Sequence, residues 1–181
     1  MPRTSHIVAA LLAIYTSVYG AVAMRDGWDA THLAVSALLA ALLIAITLID
    51  VATLRIPDPL TLAVFALGIA VAAFRGWEAL MWGLLAAAIG FLILFGVGEF
   101  YRRVRGRSGL GFGDVKLFGA AGVWVGAEGL ASVLLAGCVA ALIALAVARL
   151  AGRRVGATTP FPFGPFLSFG FWTTWCAGPL L

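Results

Sequence analysis

Charged side chains are scarce in this sequence of 181 residues: Asp, Glu, Lys and Arg together make up 11%, whereas 63% of the residues are hydrophobic. A soluble domain usually has about 25% charged residues, because its surface faces water. The composition therefore excludes a soluble enzyme or a disordered chain and predicts an integral membrane protein. At about 20 residues per span, this length predicts a single membrane-embedded domain over residues 1–181.

Cysteine and histidine are also rare. Cys138 and Cys176 stand alone in apolar runs and form no CxxC motif, which predicts buried thiols rather than a disulfide or a zinc site. His6 and His32 are too few, and lie on opposite sides in the predicted topology, for a zinc site or a Ser–His pair. We therefore expect neither a metal ion nor a cofactor.

Seven apolar segments divide the chain, and none shows the alternating pattern of a membrane strand. They lie at about 6–24, 31–50, 59–74, 77–101, 115–127, 129–150 and 159–179. Since backbone groups in lipid must be hydrogen-bonded within each segment, we predict an all-α bundle of about seven transmembrane helices. The first segment also resembles a signal peptide, but its apolar run exceeds the usual ~7–15 residues, so we expect a retained helix.

Lysine and arginine are unevenly distributed over the predicted loops. With seven spans, the amino terminus and the loops at 51–58, 101–114 and 150–158 share one side, which collects ten of the twelve basic residues. The positive-inside rule makes this side cytoplasmic, so the amino terminus is predicted in the cytoplasm. We interpret the basic run Arg102 to Arg107 as an anchor at the anionic lipid headgroups of the bilayer, and we expect no nucleic-acid partner.

The eight acidic residues fall into two groups. Asp26, Asp29, Glu78 and Glu128 occupy short outer loops, where they are solvated. The other four lie at cytoplasmic ends of helices, and they are Asp50, Asp58, Glu99 and Asp114. Ionisable side chains at such depth are costly unless they serve a function, so each of these four is a candidate site residue.

Asp114 ends the glycine-rich stretch GLGFGD, residues 109–114. Its three glycines let the backbone turn and let a bound peptide approach closely. Asp114 is expected at a helix N-cap, where the helix dipole favours an ionised carboxylate. An ordinary glycine-rich turn with a capping aspartate is the alternative.

Asp50 precedes a segment with two prolines, Pro57 and Pro59, which must separate two helices. We therefore expect Asp50 to close one helix and Asp58 to precede the next. The alternatives are an interfacial salt bridge between Asp50 and Arg55, and a plain helix cap at Asp58; for Asp58 we favour the cap. Asp50 and Asp114 fall on the same predicted side, where two carboxylates can share a proton. One could then activate a water and the other could protonate a leaving group.

Three segments in this order resemble the prepilin peptidases, the type IV leader peptidase family. Residues 111–117, GFGDVKL, are similar to the GxGD(V)KL signature of that family. The aspartate of this segment, Asp114, follows Asp50 by 64 residues. Asp50 with residues 55–58, RIPD, is similar to the first catalytic segment of the family. Residues 162–166, PFGPF, are similar to its proline-glycine motif near the last helix.

The resemblance implies a membrane aspartyl endopeptidase that removes the basic leader of type IV prepilins at the cytoplasmic face of the inner membrane. Asp50 and Asp114 would form the catalytic pair, and Gly111, Gly113 and Lys116 would belong to the catalytic loop. Larger members carry an amino-terminal segment with CxxC motifs linked to methylation. The sequence shows no such segment, so we expect peptidase activity without methyl transfer, as in short members that serve Flp or tight-adherence pili.

The resemblance also implies residues around the substrate. Phe163, Gly164 and Pro165 would lie beside the site, although a proline-marked helix start is an equal interpretation. Asp58 and Glu99 are candidates for attracting the basic leader, because the arginine run after Glu99 would repel it.

Two other functions stay open. Presenilin-like intramembrane proteases also use GxGD, but they pair it with a tyrosine-aspartate segment, and Ile49 precedes Asp50 here. Proton-coupled transporters also contain buried acids and helix-breaking glycines, but their sites lie near the bilayer midplane. Asp50 and Asp114 are predicted at helix ends on one side, which argues against a transport path.

Overall fold

The computed structural model describes residues 17, 20, 30–106, 109–151 and 161–179. All regular structure in these residues is helical, which confirms the predicted all-α fold. In chain order the helices are α1 (Ala30–Thr53), α2 (Asp58–Arg75), α3 (Trp77–Arg105), α4 (Phe112–Leu150) and α5 (Gly164–Ala177).

Four of these helices, α1 to α4, are long and apolar enough to cross a membrane. The chain is therefore a multi-pass membrane protein. Helix α4 is interrupted at Gly126, whose φ of 70° is not helical, and its two halves correspond to the predicted segments 115–127 and 129–150. The predicted count of about seven spans stays a prediction, because the segment 6–24 and the amino-terminal orientation lie almost wholly outside the described residues.

The helix ends explain why the observed bounds differ from the predicted ones by a few residues. Helix α2 begins after Pro57, whose fixed φ suits a helix start, and it ends before Gly76. Helix α1 continues three residues past Asp50 to Thr53, whose Oγ1 donates to the Ile49 carbonyl at 2.8 Å. Asp50 therefore lies inside the last turn of α1 rather than closing it.

Helix α4 is the centre of the bundle. It packs against α2, α3 and α5, and small residues allow close helix contacts. A Cβ atom on Gly122 of α4 would lie 2.6 Å from the Ala86 carbonyl carbon of α3, and one on Gly170 of α5 would collide with the Val133 carbonyl oxygen of α4.

Helix α1 packs against α2 and α5 but, within the described residues, not against α4. The two helices that carry Asp50 and Asp114 are therefore positioned relative to each other by α2 and α5. Two tertiary hydrogen bonds connect these helix ends: the Gly164 N–H at the start of α5 donates to Asp50 near the end of α1, and Lys116 near the start of α4 donates to Asp58 at the start of α2.

Candidate active site

Asp50 and Asp114 line the same cavity, which has a volume of about 350 Å³. Both side chains are buried, with relative exposures of 5% and 8%. The negative charge of Asp50 acts on the Asp114 carboxylate, as expected for two acids that face one small cavity. The structure thus brings together the two acids that the sequence singled out.

Asp50 is held by the start of α5. Its Oδ2 accepts a hydrogen bond of 3.0 Å from the backbone N–H of Gly164, the first residue of that helix. A Cβ atom on Gly164 would lie 2.7 Å from Asp50 Oδ2, so this approach requires glycine. Among the described residues Asp50 has no ion-pair partner, and Arg55 is exposed, so the alternative of an Asp50–Arg55 salt bridge is wrong.

Asp114 is held by its own helix start. Gly111 is the N-cap of α4, and Asp114 is the third residue of the helix, so the prediction of Asp114 as the N-cap is wrong. Its carboxylate reaches back to accept the Gly111 N–H, which is the role that an acid at the third position of a helix can play. The Oδ1 atom of Asp114 is buried and has no hydrogen-bond partner among the described residues.

Ile56, in the connection between α1 and α2, lies close to a glycine beside each of the two acids. A Cβ atom on Gly113 would lie 2.7 Å from Ile56 Cβ, and one on Gly164 would lie 3.1 Å from Ile56 Cδ1. Gly113 precedes Asp114, and Gly164 bonds Asp50. Ile56 therefore sits against both halves of the site.

Lys116 and Asp58 join α4 to α2. Lys116 Nζ lies 2.7 Å from Asp58 Oδ1 and also lies over the Phe112 ring, 4.7 Å from its centroid. Asp58 is the first residue of α2, and its N-cap is Pro57, so the favoured prediction that Asp58 caps the helix is wrong. The Asp58 side chain is 71% exposed.

Glu99 pairs with two arginines of its own helix. Its carboxylate oxygens lie 2.6 Å from Arg102 and 2.8 Å from Arg103. Both oxygens of this acid are therefore already neutralised, whereas Asp58 has a single cationic partner. That either acid attracts a basic leader stays a prediction.

The segment before α5 borders the cavity, as the resemblance implied. Phe163 lines it and is the N-cap of α5, Gly164 bonds Asp50, and Pro165 lies in the first turn of the helix. The segment is thus both next to the acids and at a helix start.

Three further residues line the cavity that the sequence did not single out: Leu54, Leu110 and Phe161. The sequence does contain a signal in the region of Leu54. Helix α1 must end between Asp50 and Pro57, and because this stretch has no glycine or asparagine, another residue type has to end the helix there. Leu110 and Phe161 have no signal of this kind.

A larger groove of about 850 Å³ lies on the other side of α4, bordered by α2 and α3. Its lining is apolar except near Asp58 and Lys116, and it holds no second acid. It is therefore not a candidate for acid–base chemistry. Among the described side chains no group of three or more His, Cys, Asp or Glu could hold a metal ion.

Comparison with known proteins adds an independent result. A family model described as "Type IV leader peptidase family" matches residues 37–146, more than half of the chain. This range contains Asp50 and Asp114 but ends before the segment that precedes α5.

The chain is also similar to proteins named "Prepilin leader peptidase/N-methyltransferase". The protein from Dichelobacter nodosus is 38% identical over 136 residues, which are 75% of this chain and 46% of that protein. The protein from Aeromonas salmonicida (strain A449) is 32% identical over 163 residues, 90% of this chain and 54% of that protein. For Neisseria gonorrhoeae the identity is 33% over 168 residues, 92% of this chain and 57% of the relative. The chain thus spans about half the length of these relatives, and no solved structure matches it significantly.

Proposed function

The chain belongs to the type IV leader peptidase family, and on that premise we propose that it is a membrane aspartyl endopeptidase that removes the leader peptide of prepilins. One observation carries the mechanism. Asp50 and Asp114 line one cavity, although they come from helices that do not pack against each other. The substrate class follows from the names of the relatives, which are prepilin leader peptidases.

The proposed reaction uses the two carboxylates and one water. Two acids that face one small cavity repel each other when both are ionised, so the pair holds one proton. The ionised acid takes a proton from the water, whose oxygen attacks the peptide carbonyl carbon. The protonated acid gives its proton to the departing nitrogen as the C–N bond breaks, which leaves a new carboxyl end and a new amino end.

The hydrogen bonds of the two acids support a division of roles. Asp50 Oδ2 and one oxygen of Asp114 already accept glycine N–H groups. The buried Oδ1 of Asp114 has no donor within the part of the chain that the structure describes, and an ionised oxygen left without a donor is strongly disfavoured. We therefore assign the shared proton to Asp114 Oδ1, which makes Asp50 the base that activates the water.

The placement of the acids in the helices favours a peptidase over a transporter. Asp50 lies in the last turn of α1 and Asp114 in the first turn of α4, whereas transporter sites lie near the bilayer midplane. The described basic residues near this end are Arg55, Arg102, Arg103, Arg105, Lys116 and Arg149, against Arg75 at the opposite end. By the positive-inside rule this supports a site at the cytoplasmic face of the inner membrane. Within the prepilins, we propose the Flp or tight-adherence type as substrate.

The test is cleavage of a purified prepilin by the full chain in detergent, with the shorter product measured by mass. We expect Asp50→Asn and Asp114→Asn each to lower the rate by about 100-fold or more, the range for loss of a general acid or base. Glu128→Gln is the matched control, because this exposed acid lies near the Gly126 break, away from the site. Cleavage at the wild-type rate by either aspartate variant would exclude that residue from the reaction.

Two additional arms refine the proposal. A chelator should leave the rate unchanged, and strong inhibition would indicate a metal-dependent mechanism instead. A Flp-type prepilin and a longer type IV prepilin, compared at equal concentration, should show a higher kcat/KM for the Flp type.

A further inference from the structure

Leu54 has a backbone conformation that is rare for its residue type. Its φ is 56°, and no other non-glycine residue in the described part of the chain has a positive φ. Leu54 directly follows α1, and its N–H donates to the Asp50 carbonyl at 2.8 Å. This is the left-handed cap that ends many helices, and glycine usually occupies the position.

Helix α3 ends with the same cap and the usual residue. Gly106 has a φ of 66°, and its N–H donates to the Arg102 carbonyl at 2.9 Å. A leucine in this conformation brings its Cβ too close to the following carbonyl oxygen, which destabilises the fold relative to glycine. The chain thus carries at residue 54 a side chain that the backbone disfavours.

Packing in the core does not offset this strain, because the Leu54 side chain is 48% exposed. The side chain lines the cavity of Asp50 and Asp114, together with Leu110, Phe161 and Phe163. Because the Leu54 N–H donates to the backbone carbonyl oxygen of Asp50, the backbone of Leu54 is fixed next to the residue that carries this acid. Backbone strain that persists next to reactive groups points to a role in function.

We propose that Leu54 is a substrate-contacting residue, whose side chain receives an apolar side chain of the peptide next to the bond that is cut. The inference rests on the proposed function. An apolar side chain of the peptide would be transferred from water into contact with Leu54 and the neighbouring phenylalanines, which is favourable. The same contact would hold the peptide carbonyl beside the two acids.

The test separates the contribution of the side chain from that of the backbone. The full chain in detergent is assayed for kcat/KM on a purified prepilin and for Tm by tryptophan fluorescence. Leu54→Gly should raise Tm by about 2–4 °C, because it relieves the strain, and should lower kcat/KM by about tenfold or more, because it removes an apolar contact. Leu54→Ala keeps a Cβ atom in the strained conformation, so it should lose activity without the gain in Tm. Leu54→Met keeps a long apolar side chain in the strained conformation, so it should lose less kcat/KM than Leu54→Ala and show no gain in Tm.

Gly106→Leu is the matched control. It places the same residue in the same cap at the end of α3, where a Cβ atom would meet nothing within 4 Å. It should lower Tm by a similar amount and leave kcat/KM unchanged.

Three outcomes would overturn the inference. A Leu54→Gly chain with kcat/KM within twofold of the wild type would show that the side chain does not contact substrate. A Leu54→Gly chain with a lower Tm would show that the side chain stabilises the fold instead. A wild-type chain that cuts no prepilin would overturn the proposed function together with this inference, and the unaltered chain alone reveals that case.

Discussion

Asp50 and Asp114 are held in the same way by contacts of very different range along the chain. Each carboxylate accepts the N–H of a glycine at the start of a helix, and a Cβ atom on that glycine would lie 2.7 Å from Asp50 Oδ2 or 2.8 Å from Asp114 Oδ2. Gly111 is three residues before Asp114, whereas Gly164 is 114 residues after Asp50. One half of the site is local and the other depends on the tertiary fold.

This difference determines when each half can form. The Gly111–Asp114 contact arises as soon as α4 begins, because an acid at the third helix position reaches its own N-cap. The Gly164–Asp50 contact requires α5 to pack beside α1. We therefore expect changes to the Gly164–Asp50 contact to disturb both folding and activity, and changes to the Gly111–Asp114 contact to act mainly on activity.

The largest expected effect tests whether the two halves act as one unit. The double variant Asp50→Asn/Asp114→Asn should be no more than a few-fold slower than either single variant, since residues that act together show non-additive losses. Each single loss should lie at about 10²- to 10⁴-fold. A double loss equal to the product of the single losses, measured by product mass over long incubations, would mean that the acids act independently.

The second prediction compares the two glycines. Gly164→Ala should lower the cleavage rate by about 10- to 100-fold, because its Cβ would displace a buried carboxylate by a large fraction of an ångström. It should also lower the free energy of unfolding by about 1–3 kcal/mol through overpacking. Gly111→Ala should cost less than about tenfold in rate, since Gly111 is exposed and its Cβ would meet only the end of the Asp114 side chain.

Gly96→Ala on α3 is the control for both glycine variants, because a Cβ atom there would meet nothing within 4 Å. It should leave the rate unchanged. Equal losses from Gly111→Ala and Gly164→Ala would contradict the distinction between a local and a long-range half.

The third prediction concerns Ile56, which touches both halves. Gly113→Ala should lower the free energy of unfolding by about 1–3 kcal/mol, because the new Cβ would lie 2.7 Å from Ile56 Cβ. It should also lower the cleavage rate. Adding Ile56→Gly should restore part of both, since it removes the atom that is contacted. Adding Ile56→Ala keeps that atom and should restore neither. Rescue by both second-site changes would indicate that the Cβ contact is not the cause.

The smallest effect is expected at the Asp58–Lys116 pair. This pair connects α2, the helix that follows Asp50 in the chain, to α4, the helix that carries Asp114. Asp58 is mostly exposed, so Asp58→Asn should lower the free energy of unfolding by less than about 1 kcal/mol. The exchanged pair Asp58→Lys/Lys116→Asp should recover most of that loss in a thermal unfolding series. A loss of several kcal/mol from Asp58→Asn alone would place this pair among the main supports of the site.

Helix bounds were predictable to within a few residues, and the misses have local causes. Helix α3 was expected to end at 101 and continues to Arg105, because Glu99 pairs with Arg102 and Arg103 and these contacts extend the helix through a basic run. The interruption of α4 was placed at 128, near a charged residue, but it occurs at Gly126, which can adopt a positive φ.

The sequence by itself determined that this chain is a helical membrane protein, because so few charged residues exclude a water-facing surface. It also indicated a glycine-rich turn that leads into the helix of Asp114, although Gly111 and not Asp114 is the N-cap of that helix. Only the tertiary structure decided that Gly164 supports Asp50, that Ile56 lies against both Gly113 and Gly164, and that Leu54 has a strained backbone conformation beside the two acids. These contacts join residues that are distant in the chain or depend on a backbone angle, and neither appears in hydrophobic periodicity.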